Sequence, residues 1–180
     1  MTRIARTRDN ALKQLVLLRH AKSSWKTPDQ PDFDRPLNGR GRKAAPLIGA
    51  WLAAHGFAPD MVLSSSAKRT HETVARLGPV VERAQIVEDE ALYLAEPSTI
   101  LARIAAVPAA IQRLLVVGHN PGLELLAVRL TPHGERARAA MAAKFPTGAL
   151  AWFSADAPTW RDILDRTALL HFVTPAHVEG

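Results

Sequence analysis

The sequence predicts an α/β fold of three layers, α/β/α, with a mostly parallel central sheet that includes an antiparallel portion. Three observations carry this. Leu15-Val-Leu-Leu18 and Leu114-Leu-Val-Val117 are continuous apolar runs, the pattern of strands buried on both faces. Strand-like and helix-like segments alternate along most of the chain, as a parallel sheet with crossover helices requires. Two closing strand-like segments, 148–154 and 169–173, have no helix clearly between them and are expected to run antiparallel.

Each element has a local reason. The first strand, from Leu15, stops at the polar pair Arg19-His20. Residues 26–37 contain Pro28, Pro31 and Pro36 and must form an irregular loop. Asn38 is a fitting N-cap for a helix over about 41–55, ended by Gly56, with Leu47, Ile48, Trp51 and Leu52 as its expected buried face. Met61-Val-Leu-Ser64 reads as a second strand, and a helix over about 67–77 carries Arg69 in its first turn. Gln85-Ile-Val-Glu88 is a third strand, and Ser98 caps a helix over 99–106. The fourth strand, Arg113 to Gly118, again ends in a histidine, His119. Asn120 as N-cap and Pro121 at the first helical position place a helix directly after it. Trp25, Trp152 and Trp160 are expected in core or loop packing.

With 180 residues, the chain is read as a basic lead-in over 1–14, carrying Arg3, Arg6, Arg8 and Lys13, and one domain over 15–180. The lead-in has no apolar segment of the secretory kind, and no later run approaches a membrane span, so no membrane partner is expected. The absence of cysteine excludes disulfides, thiolate metal sites and a cysteine nucleophile. It fits a reducing compartment, and the cytoplasm is the expected location. The net charge of +6 favours an anionic partner without choosing one.

Three strand-to-helix junctions carry cationic or imidazole groups: Arg19 with His20, Arg69, and His119. In a parallel sheet such junctions share one edge, where open α/β sheets bind ligands, so the four side chains are placed to converge. Helix N-termini and two arginines there suit a phosphoryl group. Lys22, Ser23, Lys68 and Asn120 flank the same junctions as candidate substrate-binding residues, although ordinary surface charge also accounts for the lysines. Thr147 and Gly148 open a late strand and either touch the edge of this site or serve turn chemistry alone.

Other chemistries find less support. Gly39-Arg-Gly41-Arg-Lys-Ala44 matches a dinucleotide pattern formally, but no strand precedes it. His55, His71, His133, His171 and His177 lack zinc-site spacing, and His20 and His119 have no obvious third ligand, so no metal and no cofactor are expected.

Taken together, four segments resemble the histidine phosphatase superfamily, the phosphoglycerate mutase-like fold. They are Leu-Leu-Arg19-His20-Ala21-Lys22-Ser23, Asp34-Arg-Pro-Leu-Asn-Gly-Arg-Gly41, Ser65-Ser-Ala-Lys-Arg69-Thr-His-Glu-Thr73 and Gly118-His119-Asn120-Pro121. They occur in family order between Leu15 and Leu126, and Ala21 in place of the usual glycine resembles the SixA-like phosphohistidine phosphatase subgroup. The resemblance implies a metal-independent phosphatase in which His20 is the nucleophile. Arg19, Arg69 and an imidazolium His119 would surround the phosphoryl oxygens. Glu90, in Glu90-Ala-Leu-Tyr93, resembles the register of the acid in larger members, yet equally reads as a solvated carboxylate. The implied substrate is a phosphohistidine-bearing signalling protein domain. The alternatives are a small phosphorylated metabolite or, in another class, a non-catalytic phosphate- or nucleic-acid-binding protein. Nucleic acid is the less favoured partner.

Overall fold

The computed structural model describes residues 12–178, so residues 1–11 of the expected lead-in lie outside the described residues. The elements are β1 (Lys13–Arg19), α1 (Gly39–Ala54), β2 (Met61–Ser65), α2 (Lys68–Ala75), β3 (Gln85–Asp89), α3 (Pro97–Ala105), β4 (Arg113–Gly118), α4 (Gly122–Arg129), α5 (Glu135–Ala143), β5 (Leu150–Ala155), β6 (Thr167–Val173) and α6 (Pro175–Val178). The six strands form one sheet in the order β3-β2-β4-β1-β5-β6. The β3–β2, β2–β4 and β4–β1 pairs are parallel, whereas β5 runs antiparallel to both β1 and β6.

The alternation of side chains along β1 divides the core. Leu15 and Leu17 pack on one face with Ile100, Ile104, Leu123, Leu126 and Met141, so α3, α4 and α5 cover that side. Val16 and Leu18 pack on the other with Ile48, Leu52 and Val74 from α1 and α2. Both faces of the strand are dry, which is why its sequence is continuously apolar.

Several local expectations are corrected. β1 begins at Lys13, so Lys13 and Gln14 belong to the sheet and not to a lead-in. The Lys13 amine is buried because the carbonyls of Ala109 and Ile111 accept its hydrogen bonds at 2.9 and 3.1 Å and Trp160 lies beneath it. Helix α1 starts two residues earlier than expected and runs unbroken past Pro46; Asn38 caps it by accepting from the Gly41 N–H at 2.9 Å. Its buried face is Ala44, Ala45, Ile48, Gly49 and Leu52, while Leu47 is exposed. Asn120 is not a side-chain cap: α4 begins at Gly122, with Pro121 in the cap position. The Asn120 amide instead donates to Glu124 and to the Phe145 carbonyl. Of the three tryptophans expected in core or loop packing, Trp152 and Trp160 are core residues, whereas Trp25 is 77% exposed and packs only in its loop, against Arg35. Helix α5 was not anticipated; it is alanine-rich and buries only Met141, so its apolar periodicity is faint.

Candidate active site

β1 and β4 are hydrogen-bonded neighbours in parallel, which sets Arg19 opposite Gly118 and brings His20 and His119 to the same sheet edge. The two rings lie 5.2 Å apart, centroid to centroid, at an angle of 56°. β2 is the other neighbour of β4, so the start of α2 delivers Arg69 to that edge. A cavity of about 280 Å³ opens there, lined by Arg19, His20, Arg69 and His119 among others. Tertiary structure therefore brings together the four residues drawn from three separate junctions.

The strand end is fixed by backbone bonds. The His20 N–H donates to the Gly118 carbonyl at 3.1 Å, and the Gly148 N–H donates to the carbonyls of both Arg19 and His20. Gly148 sits at φ +80°, a left-handed turn that glycine adopts without a steric penalty. Thr73 secures the next residue: its hydroxyl accepts from the Ala21 N–H at 3.1 Å and donates to the Arg69 carbonyl at 2.6 Å. Gly41 of α1 is in contact with this loop, where a Cβ would lie 2.1 Å from the Lys22 carbonyl oxygen.

His20 has its Nδ1 2.7 Å from the Ala21 carbonyl. A carbonyl only accepts, so Nδ1 carries the proton and Nε2 keeps its lone pair. The Arg69 Nε–H donates to that lone pair at 3.3 Å. Burial pushes the His20 pKa down to about 3, and Arg69, Arg19 and Arg35 push the same way, so the ring is neutral. Burial, His20 and Arg69 likewise hold His119 at about 3. The imidazolium expected of His119 therefore calls for an anionic counter-charge, which a phosphoryl dianion would supply. His119 Nε2 is 2.8 Å from the Ser65 hydroxyl, and its Nδ1 is buried without a partner. Arg19 donates to the Phe145 carbonyl at 2.8 Å, and its Nε is also buried without a partner. Both residues line the one cavity, whose cationic wall suits an anion.

Two residues not named as candidates from the sequence, Asp32 and Arg35, also line the pocket, and Tyr93 holds Asp32 from outside that lining. Asp32 lies in a short 3-10 turn and accepts from Arg69 at 2.9 Å, Arg35 at 2.7 Å and Tyr93 at 2.7 Å. Burial works to raise its pKa, but the Tyr93 and Arg35 hydrogen bonds and the Arg69 charge win and hold it well below the usual carboxylate range. Arg35 itself is buried, donates to the Ser23 hydroxyl at 2.7 Å and stacks over Trp25, 3.1 Å from the ring centre. Arg35 stands in the family-like segment 34–41 and Tyr93 in the Glu90-Ala-Leu-Tyr93 stretch, while Asp32 has only its i, i+3 spacing to Arg35 within the proline-bounded loop as a hint. Among the described residues, Arg19, Arg35, Arg69 and Lys22 line the pocket against Asp32 as its one carboxylate, leaving an excess of three positive charges.

The remaining candidates divide. Lys22, Ser23, Asn120 and Thr147 line the cavity, although the Ser23 hydroxyl is engaged by Arg35. Lys68 and Glu90 are exposed and are not among its lining residues.

The model of the histidine phosphatase superfamily (branch 1) matches residues 15–93. An uncharacterised protein of Mycobacterium leprae is 36% identical over 164 residues, covering 88% of this chain and 99% of its own length. Among solved structures, a Nakamurella multipartitia protein provisionally assigned as the phosphohistidine phosphatase SixA superposes with a TM-score of 0.81 at 32% identity, over 92% of this chain and 97% of that one. A protein from Agrobacterium tumefaciens with the same provisional assignment gives 0.77 at 32% identity, over 91% and 98%.

Proposed function

The chain belongs to the histidine phosphatase superfamily as a SixA-like phosphatase, and from that membership we propose that it hydrolyses phosphohistidine in a protein through a phosphorylated His20. The His20 Nε2 lone pair attacks phosphorus in line. The Nε2–P bond forms as the bond to the leaving group breaks, and Nδ1–H stays on the Ala21 carbonyl. Water then attacks phosphorus, the P–Nε2 bond breaks, and His20 returns to its neutral tautomer with inorganic phosphate released. Arg19, Arg35, Arg69 and His119, which line the cavity, surround the phosphoryl oxygens. The incoming phosphoryl group competes with Asp32 for Arg69 and Arg35, freeing His20 Nε2 from its Arg69 contact.

The carrying observation is that Asp32, the one carboxylate lining the pocket among the described residues, is held ionised by three donors. An alkoxide leaving group needs a proton from an acid within reach. A phosphohistidine protonated on its distal nitrogen leaves as neutral imidazole and needs none. The site therefore suits P–N better than P–O cleavage, and Glu90 has no part in it.

A phosphohistidine peptide and an aryl phosphate, each assayed with chelator, test this reading. We expect chelator-resistant turnover with kcat/KM at least about tenfold higher for the peptide, an acid-labile label trapped on the protein, and a loss of about 10³-fold or more in His20→Ala. Full activity in His20→Ala removes the nucleophile assignment; a preference for the aryl phosphate removes the leaving-group assignment.

A further inference from the structure

A second and larger cavity of about 590 Å³ adjoins the catalytic pocket, and Lys22 and Thr147 line both. Lys22, Arg40 and Lys144 give it three cations, no carboxylate lines it among the described residues, and its apolar surface includes Phe172 and Pro175. All three cations are exposed, and among the described residues none of them forms a salt bridge. The catalytic mechanism uses none of this cavity beyond the residues it shares.

On the rim of the catalytic pocket stand Trp25, 77% exposed, and Leu94, 50% exposed. Large apolar side chains left uncovered beside a charged cavity are the composition of a protein-binding face, where a central aromatic anchor is surrounded by polar groups. A folded partner presenting its phosphohistidine would cover both this rim and the second cavity, and charge complementarity requires its contact with the second cavity to be acidic.

We propose that the cavity between Lys22, Arg40 and Lys144 binds acidic side chains of the substrate protein beside its phosphohistidine, and so selects phosphohistidine presented in an acidic segment. This rests on the phosphohistidine reading above. Exposed ion pairs each contribute modestly, so three together are expected to favour an acidic segment about tenfold.

The test uses two phosphohistidine peptides that differ only in flanking Glu against flanking Gln. Wild type is expected to show a kcat/KM ratio of about ten in favour of Glu, carried by KM and shrinking with added salt. In the double variant Arg40→Glu with Lys144→Glu the ratio falls to about one or below. A wild-type ratio near one, or a ratio unchanged in the double variant, overturns the proposal. If the double variant does not fold, inhibition of wild type by the unphosphorylated peptides decides, the Glu form being expected to inhibit about tenfold better and equal inhibition overturning the proposal. Equal turnover of both peptides sinks this inference alone. Turnover of an aryl phosphate with neither peptide accepted sinks the phosphohistidine reading and takes this inference with it.

Discussion

His20 and His119 are held neutral in the folded protein at about pKa 3, while in the unfolded chain they titrate near 6.5. As pH falls below 6.5 the unfolded state takes up protons that the folded state refuses. Stability is therefore full above pH 6.5 and declines toward pH 3. The thermal midpoint is expected to fall steadily between pH 6.5 and 4, and His119→Asn should shallow that slope; a midpoint that is flat over this range contradicts the burial argument. Thr73 is a positioning residue of the same site. Thr73→Val leaves the buried Ala21 N–H without its acceptor, at about 1–3 kcal/mol of stability. We expect kcat to fall with little change in KM, and Thr73→Ser to restore both. Loss of kcat in the serine variant as well would move the role from hydroxyl to methyl.

At the scale of elements, α1 is placed by close backbone approach to the loop that follows β1. The Asn38 N–H donates to the Lys22 carbonyl at 2.9 Å, and Gly41 leaves room for that same carbonyl. Gly41→Ala would set a methyl 2.1 Å from a backbone oxygen, where no flexible side chain can yield. We expect a stability loss of about 1–3 kcal/mol and at least a tenfold drop in kcat, because the loop that moves carries Ala21, whose carbonyl fixes the His20 tautomer. Urea unfolding and steady-state kinetics on one preparation check both, and an unchanged kcat would show that helix and loop are not coupled. Lys13 shows the opposite case, a charged residue drawn into the core by two carbonyls at the end of its reach.

For the whole molecule, the site depends on the central strands β4 and β1, with core on both faces. Trp160 lies in the core on one face and Trp152 in the core on the other, so their fluorescence reports both layers. Loss of fluorescence and loss of activity in denaturant are expected to coincide in one transition. Activity lost at lower denaturant would mean that the loop carrying Asp32 and Arg35 opens before the sheet. Among the described residues, no helix is long and apolar enough to cross a membrane.

By itself the sequence determined what is local. Apolar runs marked β1 and β4, Asn38 marked the start of α1, and Arg19-His20, Arg69 and His119 stood at strand-to-helix junctions, because burial and capping act over a few residues. Asn120 shows the limit even there: a cap-like residue found stronger partners in Glu124 and Phe145. Only the tertiary structure decided the strand order, the burial that lowers the His119 pKa, and the meeting of Arg35 and Tyr93 on Asp32 beside the pocket. Those depend on contacts between segments distant in the chain, such as Tyr93 with Asp32, and on a desolvation that exists only once both layers of helices have closed over the sheet.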